Sequence, residues 1–159
     1  MKLLLIACFA LVSCQTKTPT EFSESALNDT FTTLEGQSMT FKEILKNQEG
    51  NEVVIDIWAS WCKDCIAGMP DIKALQKQFP TANYLFLSLD RDIASWKRGI
   101  KKYDLKGDHF FVTSGWEGEF CSFLDLDWIP RYMVVDKKGT IKLYKAIEAD
   151  DKDIKKALK

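Results

Sequence analysis

The chain has 159 residues, of which 46% are hydrophobic and 28% are charged. This length suits a single domain, and the composition excludes an intrinsically disordered chain, a collagen-like fibre and a protein that crosses the membrane many times. Lys and Arg number 22 against 23 Asp and Glu, so the net charge of -1 offers no general attraction for nucleic acid or for an anionic membrane surface.

The N-terminus has the pattern of an export signal. Met1 and Lys2 precede an apolar run over residues 3–12, which is about half the length that spans a bilayer. Leu-Val-Ser-Cys ends this run and resembles the lipobox of bacterial lipoproteins, in which the chain is cut before the cysteine and the sulfur carries a diacylglycerol. We therefore predict a signal peptide over residues 1–13 and a lipid on Cys14. The alternative is an ordinary cleaved signal with a chance cysteine, and with either one the mature chain leaves the cytosol.

Residues 14–30 are predicted to be a flexible tether that precedes a folded domain over residues 31–159. The segment from Gln15 to about Ala26 is rich in Thr, Ser and Glu and has no periodic apolar pattern. Ordered structure is predicted from Phe31, where residues 31–33 and 38–40 flank a turn-like stretch, as in a small β-hairpin. A Thr-x-x-Glu capping box over residues 40–43 then predicts a short helix.

The middle of the chain alternates strands and helices. Residues 53–58 form a nearly continuous apolar run rich in β-branched residues, which is typical of a strand buried on both faces. A second strand over 84–89 and an amphipathic helix over 93–103, with Asp92 as its N-cap, repeat the pattern. Between the two strands, apolar residues at every third or fourth position predict another helix; they are Ile66, Met69, Ile72, Leu75 and Phe79.

The C-terminal part predicts shorter elements. These are a strand over 110–112, a helical turn near Phe120, a hairpin of strands over 132–135 and 141–144, and a polar helix from about residue 150 to 158. Together the elements predict an α/β fold with a mixed central sheet. The sheet is expected to be parallel in its centre, flanked by helices on both faces, and extended by the N-terminal β-hairpin.

The chemistry lies in residues 58–65, Trp-Ala-Ser-Trp-Cys-Lys-Asp-Cys, where the first buried strand meets its helix. Two cysteines three positions apart in a first helical turn can close a disulfide with little backbone change, and the helix N-terminus favours a thiolate on the first of them. Cys62 and Cys65 are therefore a candidate two-electron redox switch. Half of a zinc site is the alternative, but zinc needs four ligands, and His109 and Cys121 do not have a usual ligand spacing. We predict no metal.

His109 and Cys121 are expected to lie outside the chemistry. His109 is the single histidine, and we predict a surface or loop position for it rather than a catalytic role. Cys121 is best explained as a small buried apolar residue, with an additional redox role as the alternative.

Residues 55–65 resemble the active-site strand and loop of the thioredoxin superfamily. Pro70 lies where that family kinks its active-site helix, and Trp128-Ile129-Pro130 before a strand looks like the family's cis-proline loop. With an exported N-terminus and an added hairpin, the chain is most similar to the TlpA/ResA-like membrane-tethered thiol-disulfide oxidoreductases of bacteria. The resemblance covers residues 31–159, is weak between residues 103 and 127, and implies a thioredoxin-like fold.

The resemblance implies roles for both cysteines and for one acid. Cys62 would be the exposed nucleophile, and Cys65 would be the resolving thiol that attacks the mixed disulfide and releases the substrate. Asp56 matches the family's buried acid, which accepts the proton of the resolving cysteine through water. The alternative for Asp56 is a solvated position where the strand turns. Lys63 and Asp64 depart from the commoner family loops, and because their charges offset each other the loop does not define the reduction potential.

The resemblance also implies a substrate-binding surface. Pro130 would be cis and would hold Ile129 so that its backbone pairs with an extended substrate segment over Cys62. The alternative is an ordinary trans proline at the start of an edge strand. Trp61 would shield the edge of the site, with a role in packing alone as its alternative.

The implied function is a thiol-disulfide oxidoreductase, more often a reductant, that exchanges disulfides with proteins outside the cytosol. Its location would be the bacterial cell envelope, where it would be a periplasm-facing lipoprotein. A membrane thiol protein would donate its electrons, because the sequence provides no nicotinamide or flavin site and so predicts no cofactor. Two alternatives remain: a thioredoxin-fold binding module with a static disulfide, and a thiol peroxidase, for which the chain lacks the Pro-x-x-x-Thr-x-x-Cys arrangement of peroxiredoxins.

Overall fold

The structure is a computed structural model that describes residues 18–159. The predicted signal peptide and the predicted lipidation site Cys14 lie outside the described residues. In chain order, the elements are α1 (Glu24–Asn28), β1 (Thr30–Thr32), β2 (Ser38–Thr40), α2 (Phe41–Asn47), β3 (Val53–Trp58), α3 (Lys63–Ala67), α4 (Met69–Gln78), β4 (Asn83–Ser88), α5 (Ile93–Tyr103), β5 (Asp108–Val112), α6 (Glu119–Phe123), β6 (Arg131–Val135), β7 (Ile141–Ala146) and α7 (Lys152–Ala157). Within residues 18–159, no helix is both long and apolar enough to cross a membrane.

The strands combine into one mixed sheet in the order β2-β1-β5-β4-β3-β6-β7. Strands β3, β4 and β5 are parallel neighbours in its centre, while β6 and β7 continue it on one side and β1 and β2 on the other, all in antiparallel pairs. Every residue of β3 is buried, as expected for a central strand that is covered on both faces. The predicted mixed sheet, with the N-terminal hairpin at its edge and helices packed on it, is confirmed.

Local sequence signals explain where two of the helices begin. Helix α2 opens on the predicted capping box: the Glu43 amide donates to Thr40 Oγ1 at 3.3 Å, and the Thr40 amide donates to Glu43 Oε2 at 2.8 Å. The helix predicted after Cys65 is present as two pieces, α3 and α4, which meet at Gly68. Pro70 lies in the first turn of α4, where its missing amide hydrogen removes no helical hydrogen bond.

The folded region begins before Phe31, which corrects the predicted start of order. Helix α1 lies inside the predicted tether, and Ser23 caps it by accepting a hydrogen bond from the Ala26 amide at 3.2 Å. The Phe22 ring packs on the Phe41 ring with centroids 4.9 Å apart, and Ala26 is fully buried. The apolar pattern did not reveal this segment because its partners are aromatic rings of α2 and α6, which are distant in the chain.

His109 is buried in β5, so the prediction of a surface or loop position is wrong. Strand β5 begins at Asp108, two residues before the predicted strand, and pairs His109 with Phe86 of β4. The two rings stack with centroids 5.1 Å apart, and His109 Nε2 lies 3.2 Å from the Leu105 carbonyl oxygen. Nδ1 has no hydrogen-bond partner in residues 18–159.

This burial makes folding stability depend on pH. Burial lowers the pKa of His109 below its ordinary value of 6.5, against smaller opposite effects of the Leu105 carbonyl and the Asp108 charge. The unfolded chain therefore binds a proton more readily than the folded protein does, and the stabilisation is lost as pH falls below the unfolded pKa. We expect the free energy of unfolding to fall by up to about 1.4 kcal/mol per pH unit more steeply in the wild type than in His109→Gln below about pH 6.5. Urea unfolding at several pH values measures both slopes, and identical slopes contradict the expectation.

Candidate active site

Cys62 and Cys65 form a disulfide at the junction of β3 and α3. Their Cα atoms are 5.3 Å apart, and Cys62 is 6% exposed whereas Cys65 is 1% exposed. Cys62 is the N-cap residue of α3, and its Sγ accepts a hydrogen bond from the Cys65 amide at 3.1 Å. The same amide would stabilise a thiolate on Cys62 after reduction. Because both cysteines belong to one helical turn, the bond can open and close without a rearrangement of the sheet.

A hydrogen-bond network holds the loop that leads to Cys62. The carboxylate of Asp90, just after β4, accepts hydrogen bonds from the Ser60 amide at 3.1 Å and from the Ser60 hydroxyl at 2.6 Å. The Ser88 hydroxyl donates to the same carboxylate at 2.9 Å. On the other side, Gly99 of α5 packs so closely that a Cβ there would lie 2.5 Å from the Ser60 Cβ. Sequence reasoning missed this support, although an acid directly after a parallel neighbour of the active-site strand is a usable signal.

The cis-proline loop meets the cysteine pair. The peptide bond between Ile129 and Pro130 is cis, which is the isomer that the resemblance implied. It directly precedes β6, the antiparallel neighbour of β3, and it places the Ile129 carbonyl oxygen 3.5 Å from Cys62 Sγ. The structure therefore brings Cys62, Ile129 and Pro130 together, next to the end of β3 and the start of β6.

A buried arginine holds the segment that precedes the cis-proline. Arg131 is 1% exposed, its Nη1 donates to the Leu124 carbonyl oxygen at 2.9 Å, and its Nη2 pairs with Asp127 Oδ1 at 2.9 Å. These contacts tie the residues just before Ile129 to the start of β6. A buried guanidinium is stable only when it is paired, and Asp127 supplies the pairing charge. Sequence reasoning missed this role, because arginine is usually a surface residue.

Asp56 is a buried acid in the middle of β3, so a solvated position is wrong. The residue is 2% exposed, and it lies between Phe86 of β4 and Tyr132 of β6 in the sheet. Its Oδ1 has no hydrogen-bond partner in residues 18–159. Burial without a compensating charge raises the pKa of Asp56 from its ordinary value of 3.8 to about 8. Such a carboxyl can take up or release a proton near neutral pH.

Cys62 is part of the lining of an aromatic groove. Its volume is about 480 Å³, and its lining contains three exposed tryptophans, Trp61, Trp116 and Trp128, together with Ile129. Trp128 is 64% exposed and donates a hydrogen bond to Asp64 at 3.3 Å. Trp61 is 49% exposed and also lines the groove. Trp116 comes from the loop between β5 and α6, where the sequence resemblance is weak.

The other predicted cysteine and histidine lie away from this groove. Cys121 is buried in α6, and burial, together with the charge of Asp29, raises the pKa of its thiol to about 12. This fits the predicted packing role. Within residues 18–159 there is no cluster of three or more His, Cys, Asp and Glu side chains that could hold a metal ion.

The comparisons with known proteins agree with this geometry. The family model described as Redoxin matches residues 21–158, so the chain belongs to the Redoxin family. The thiol-disulfide oxidoreductase ResA of Bacillus thuringiensis is 28% identical over 123 residues, which cover 76% of this chain and 67% of that protein. The thioredoxin-like protein YneN of Bacillus subtilis is 25% identical over 104 residues, which cover 63% of this chain and 59% of YneN.

Solved structures show the same fold. The thioredoxin domain of a thiol-disulfide oxidoreductase from Bacteroides vulgatus aligns with a TM-score of 0.69 at 19% identity, covering 87% of this chain and 98% of that one. A secreted disulfide oxidoreductase from Mycobacterium tuberculosis aligns with a TM-score of 0.62 at 18% identity, covering 85% of this chain and 96% of that one. The thioredoxin-like fold, the ResA-like relatives and the Cys62–Cys65 pair identify the chain as a thiol-disulfide oxidoreductase.

Proposed function

We propose that this oxidoreductase reduces disulfides of proteins outside the cytosol from a membrane-tethered position, with Cys62 as its nucleophile and Cys65 as its resolving thiol. The position of the Cys62 sulfur carries the proposal: it lies at the start of α3, against the Ile129 carbonyl and in the lining of the aromatic groove. Cys65 is more deeply buried and does not line that groove. A substrate disulfide in the groove therefore meets Cys62 first.

The proposed reaction has two exchange steps. The Cys62 thiolate attacks one sulfur of the substrate disulfide, which forms a mixed disulfide and releases the first substrate thiolate. Cys65 then loses its proton and attacks the Cys62 sulfur, which forms the intramolecular disulfide and releases the second substrate thiolate. Two electrons pass from the enzyme to the substrate, and both released thiolates take up protons. The Cys62–Cys65 disulfide of the structure corresponds to the product of this reaction.

Asp56 is the proposed proton acceptor for Cys65. A buried thiol cannot lose its proton directly to bulk solvent, and Asp56 is a buried carboxyl whose pKa lies near neutral pH. In the family the transfer runs through water, and we propose the same for this chain. The proton returns to solvent after the substrate has left.

Pro130 and its neighbour are proposed to position the substrate. The cis bond holds the Ile129 backbone beside the Cys62 sulfur, where it can pair with an extended segment of the substrate chain. Trp61, another residue of the groove lining, is proposed to cover the segment and to limit the access of water to the reacting sulfurs.

Insulin reduction tests the activity, and a redox titration tests its direction. The reduced protein should accelerate the precipitation of insulin chains, and the Cys62/Cys65 pair, equilibrated against glutathione, should have a reduction potential at or below about -200 mV. A reduction potential near about -120 mV, the value of a strong oxidant, would show that the protein oxidises its substrates and does not reduce them. A protein that leaves insulin intact would be a binding module with a static disulfide, and one that consumes hydrogen peroxide would be a thiol peroxidase.

The proposed location is the periplasmic side of the bacterial cell envelope, with Cys14 as the lipid-bearing residue. The lipobox-like residues 11–14 support this anchor, and the secreted neighbour from M. tuberculosis supports a position outside the cytosol. A lipid anchor confines the active site to the membrane surface, so we propose an integral membrane thiol protein as the electron donor.

Replacing the proposed lipid-bearing cysteine should change where the protein is located without changing its activity. We expect Cys14→Ser to move the protein from the membrane fraction to the soluble fraction, because a diacylglycerol contributes about 0.8 kcal/mol of membrane affinity for each buried methylene group. Insulin reduction by the purified protein should not change, because every residue assigned to the exchange site lies at position 56 or later in the sequence. Cell fractionation and metabolic labelling with a fatty acid measure the effect. If wild-type protein takes up no label, ordinary secretion replaces the lipid anchor.

A further inference from the structure

A second groove adjoins the active site on the other side of Trp128. Its volume is about 500 Å³, and it lies between the start of α4 and the segment that follows β7. Trp128 and Asp64 line both this groove and the aromatic groove around Cys62. Pro130 lines the second groove while Ile129 lines the first, so the cis-proline loop forms the boundary between them.

The second groove is acidic. Four exposed carboxylates line it, namely Asp64, Asp71, Glu148 and Asp150, and its lining contains no Lys or Arg. Within residues 18–159 none of the four forms an ion pair; the salt bridges of this region join Asp127 to Arg131 and Lys145. The net charge of the whole chain is only -1, so this concentration of negative charge is local. We call this surface, defined by its four carboxylates, the acidic groove.

The hydroxyl of a buried tyrosine, Tyr132, belongs to the acidic groove. Tyr132 is 1% exposed, yet it is part of the groove lining, and its hydroxyl oxygen lies beside Gly68, 3.3 Å from where a Cβ would be. The hydroxyl is not one of the fully enclosed polar atoms of residues 18–159 that lack a partner. The acidic groove therefore presents this hydroxyl beside its carboxylates, as a further hydrogen-bonding group of its lining.

We propose that the acidic groove binds basic side chains of the substrate polypeptide, close in sequence to the cysteine that Cys62 attacks. The inference rests on the proposed function, since it assigns the substrate class of that same site. A chain that passes the Ile129 backbone leaves the aromatic groove and enters the acidic groove at Pro130. A Lys or Arg side chain at that point lies near the Tyr132 hydroxyl and four carboxylates that form no ion pair within residues 18–159. An Asp or Glu side chain there is repelled by the same carboxylates. The preferred substrate is therefore an extended segment with a cysteine and a neighbouring basic pair.

Disulfide-linked peptide dimers test the preference. Each peptide contains one cysteine with a Lys pair, a Gln pair or a Glu pair on its N-terminal or C-terminal side, all other residues being the same. The fully reduced protein gives two electrons and two protons to each dimer, forms the Cys62–Cys65 disulfide and releases two peptide thiols. We expect the second-order rate constant for the better Lys peptide to exceed that for the matching Glu peptide about tenfold at low salt, and the ratio to fall below about threefold in about 0.5 M NaCl.

Matched charge variants assign the effect to the groove. The triple variant Asp71→Asn, Glu148→Gln, Asp150→Asn should bring the Lys-to-Glu ratio close to one. Asp64 is kept, because it lies beside Cys62 and would change the thiolate itself. The control variant Glu24→Gln, Glu35→Gln, Glu49→Gln removes the same number of exposed carboxylates outside both grooves, and it should keep the wild-type ratio.

The outcomes separate the two proposals. The proposed substrate class is wrong if the rates are equal for all flanking pairs, if the protein prefers Glu, or if both triple variants lose the preference equally. None of these results contradicts the oxidoreductase activity. If the reduced protein reduces neither the Gln peptides nor glutathione disulfide, the proposed function fails, and the substrate class fails with it.

Discussion

We expect Cys62→Ala to abolish disulfide exchange and Cys65→Ala to accumulate mixed disulfides with its partners. The first substitution removes the sulfur that lines the aromatic groove. The second leaves that sulfur in place but removes the resolving thiol, so the intermediate cannot collapse. Mass spectrometry of complexes trapped in cells and separated without reductant measures both results. We expect insulin reduction to fall by at least about 10³-fold in either variant, because neither completes a catalytic cycle.

The remaining thiol of the domain provides the control. Cys121→Ala should retain wild-type exchange, because its thiol is buried in α6 and its high pKa keeps it protonated. Combining Cys121→Ala with Cys65→Ala ensures that the trapped species join the partner to Cys62. If Cys62→Ala traps partners and Cys65→Ala traps none, the roles of the two cysteines are reversed.

The residues proposed to carry out the exchange could be predicted from short segments of the sequence. The β-branched run over residues 53–58 predicts a buried strand, and two cysteines three positions apart predict a redox pair. In both cases neighbours in sequence are also neighbours in space. An acid inside the buried run was predictable for the same reason, since its flanking residues define its burial. The cis-proline loop, which contacts Cys62 across 67 positions, was predicted through the family resemblance of Trp128-Ile129-Pro130.

The residues that hold the chemistry in place were not predictable in this way. Asp90 accepts a hydrogen bond from Ser60, which lies 30 positions away in the sequence. Buried Arg131 donates a hydrogen bond to the Leu124 carbonyl oxygen in the segment that follows α6. Phe22, just before helix α1, packs on rings of α2 and α6, and the apolar pattern of α1 itself is too sparse to predict the helix. Trp116 joins the groove from the one region where the resemblance is weak. Such contacts depend on the tertiary fold, which a pattern of period two or 3.6 does not encode.

Asp56→Asn should stabilise the folded protein and slow the second exchange step. The folded-state pKa of Asp56 is raised, so between about pH 4 and pH 8 the folded protein holds a proton that the unfolded chain has lost, and stability decreases as pH rises through this window. Asparagine has no charge to bury and does not incur this loss. We expect the variant to be more stable than the wild type by about 2–5 kcal/mol at pH 8, with a gain that shrinks towards pH 4.

The same substitution removes the proposed proton acceptor of Cys65. Collapse of the mixed disulfide should slow by about 10²-fold at neutral pH, while the first attack by Cys62, which draws on its own thiolate, changes much less. In the wild type the rate of collapse should rise with pH and level off above about pH 8, where Asp56 is ionised, and this inflection should be absent from the variant. Stopped-flow fluorescence of the tryptophans around the groove follows both steps.

Glu35→Gln is the matched control, because Glu35 is an exposed carboxylate in the turn between β1 and β2. It should change stability by less than about 0.5 kcal/mol and leave both exchange steps as they are in the wild type. Equal slowing of the two steps in Asp56→Asn, or a loss of stability at every pH, would show that Asp56 only supports the packing of β3. A gain in stability together with selective slowing of collapse would show that the buried acid destabilises the fold and serves as the base for Cys65.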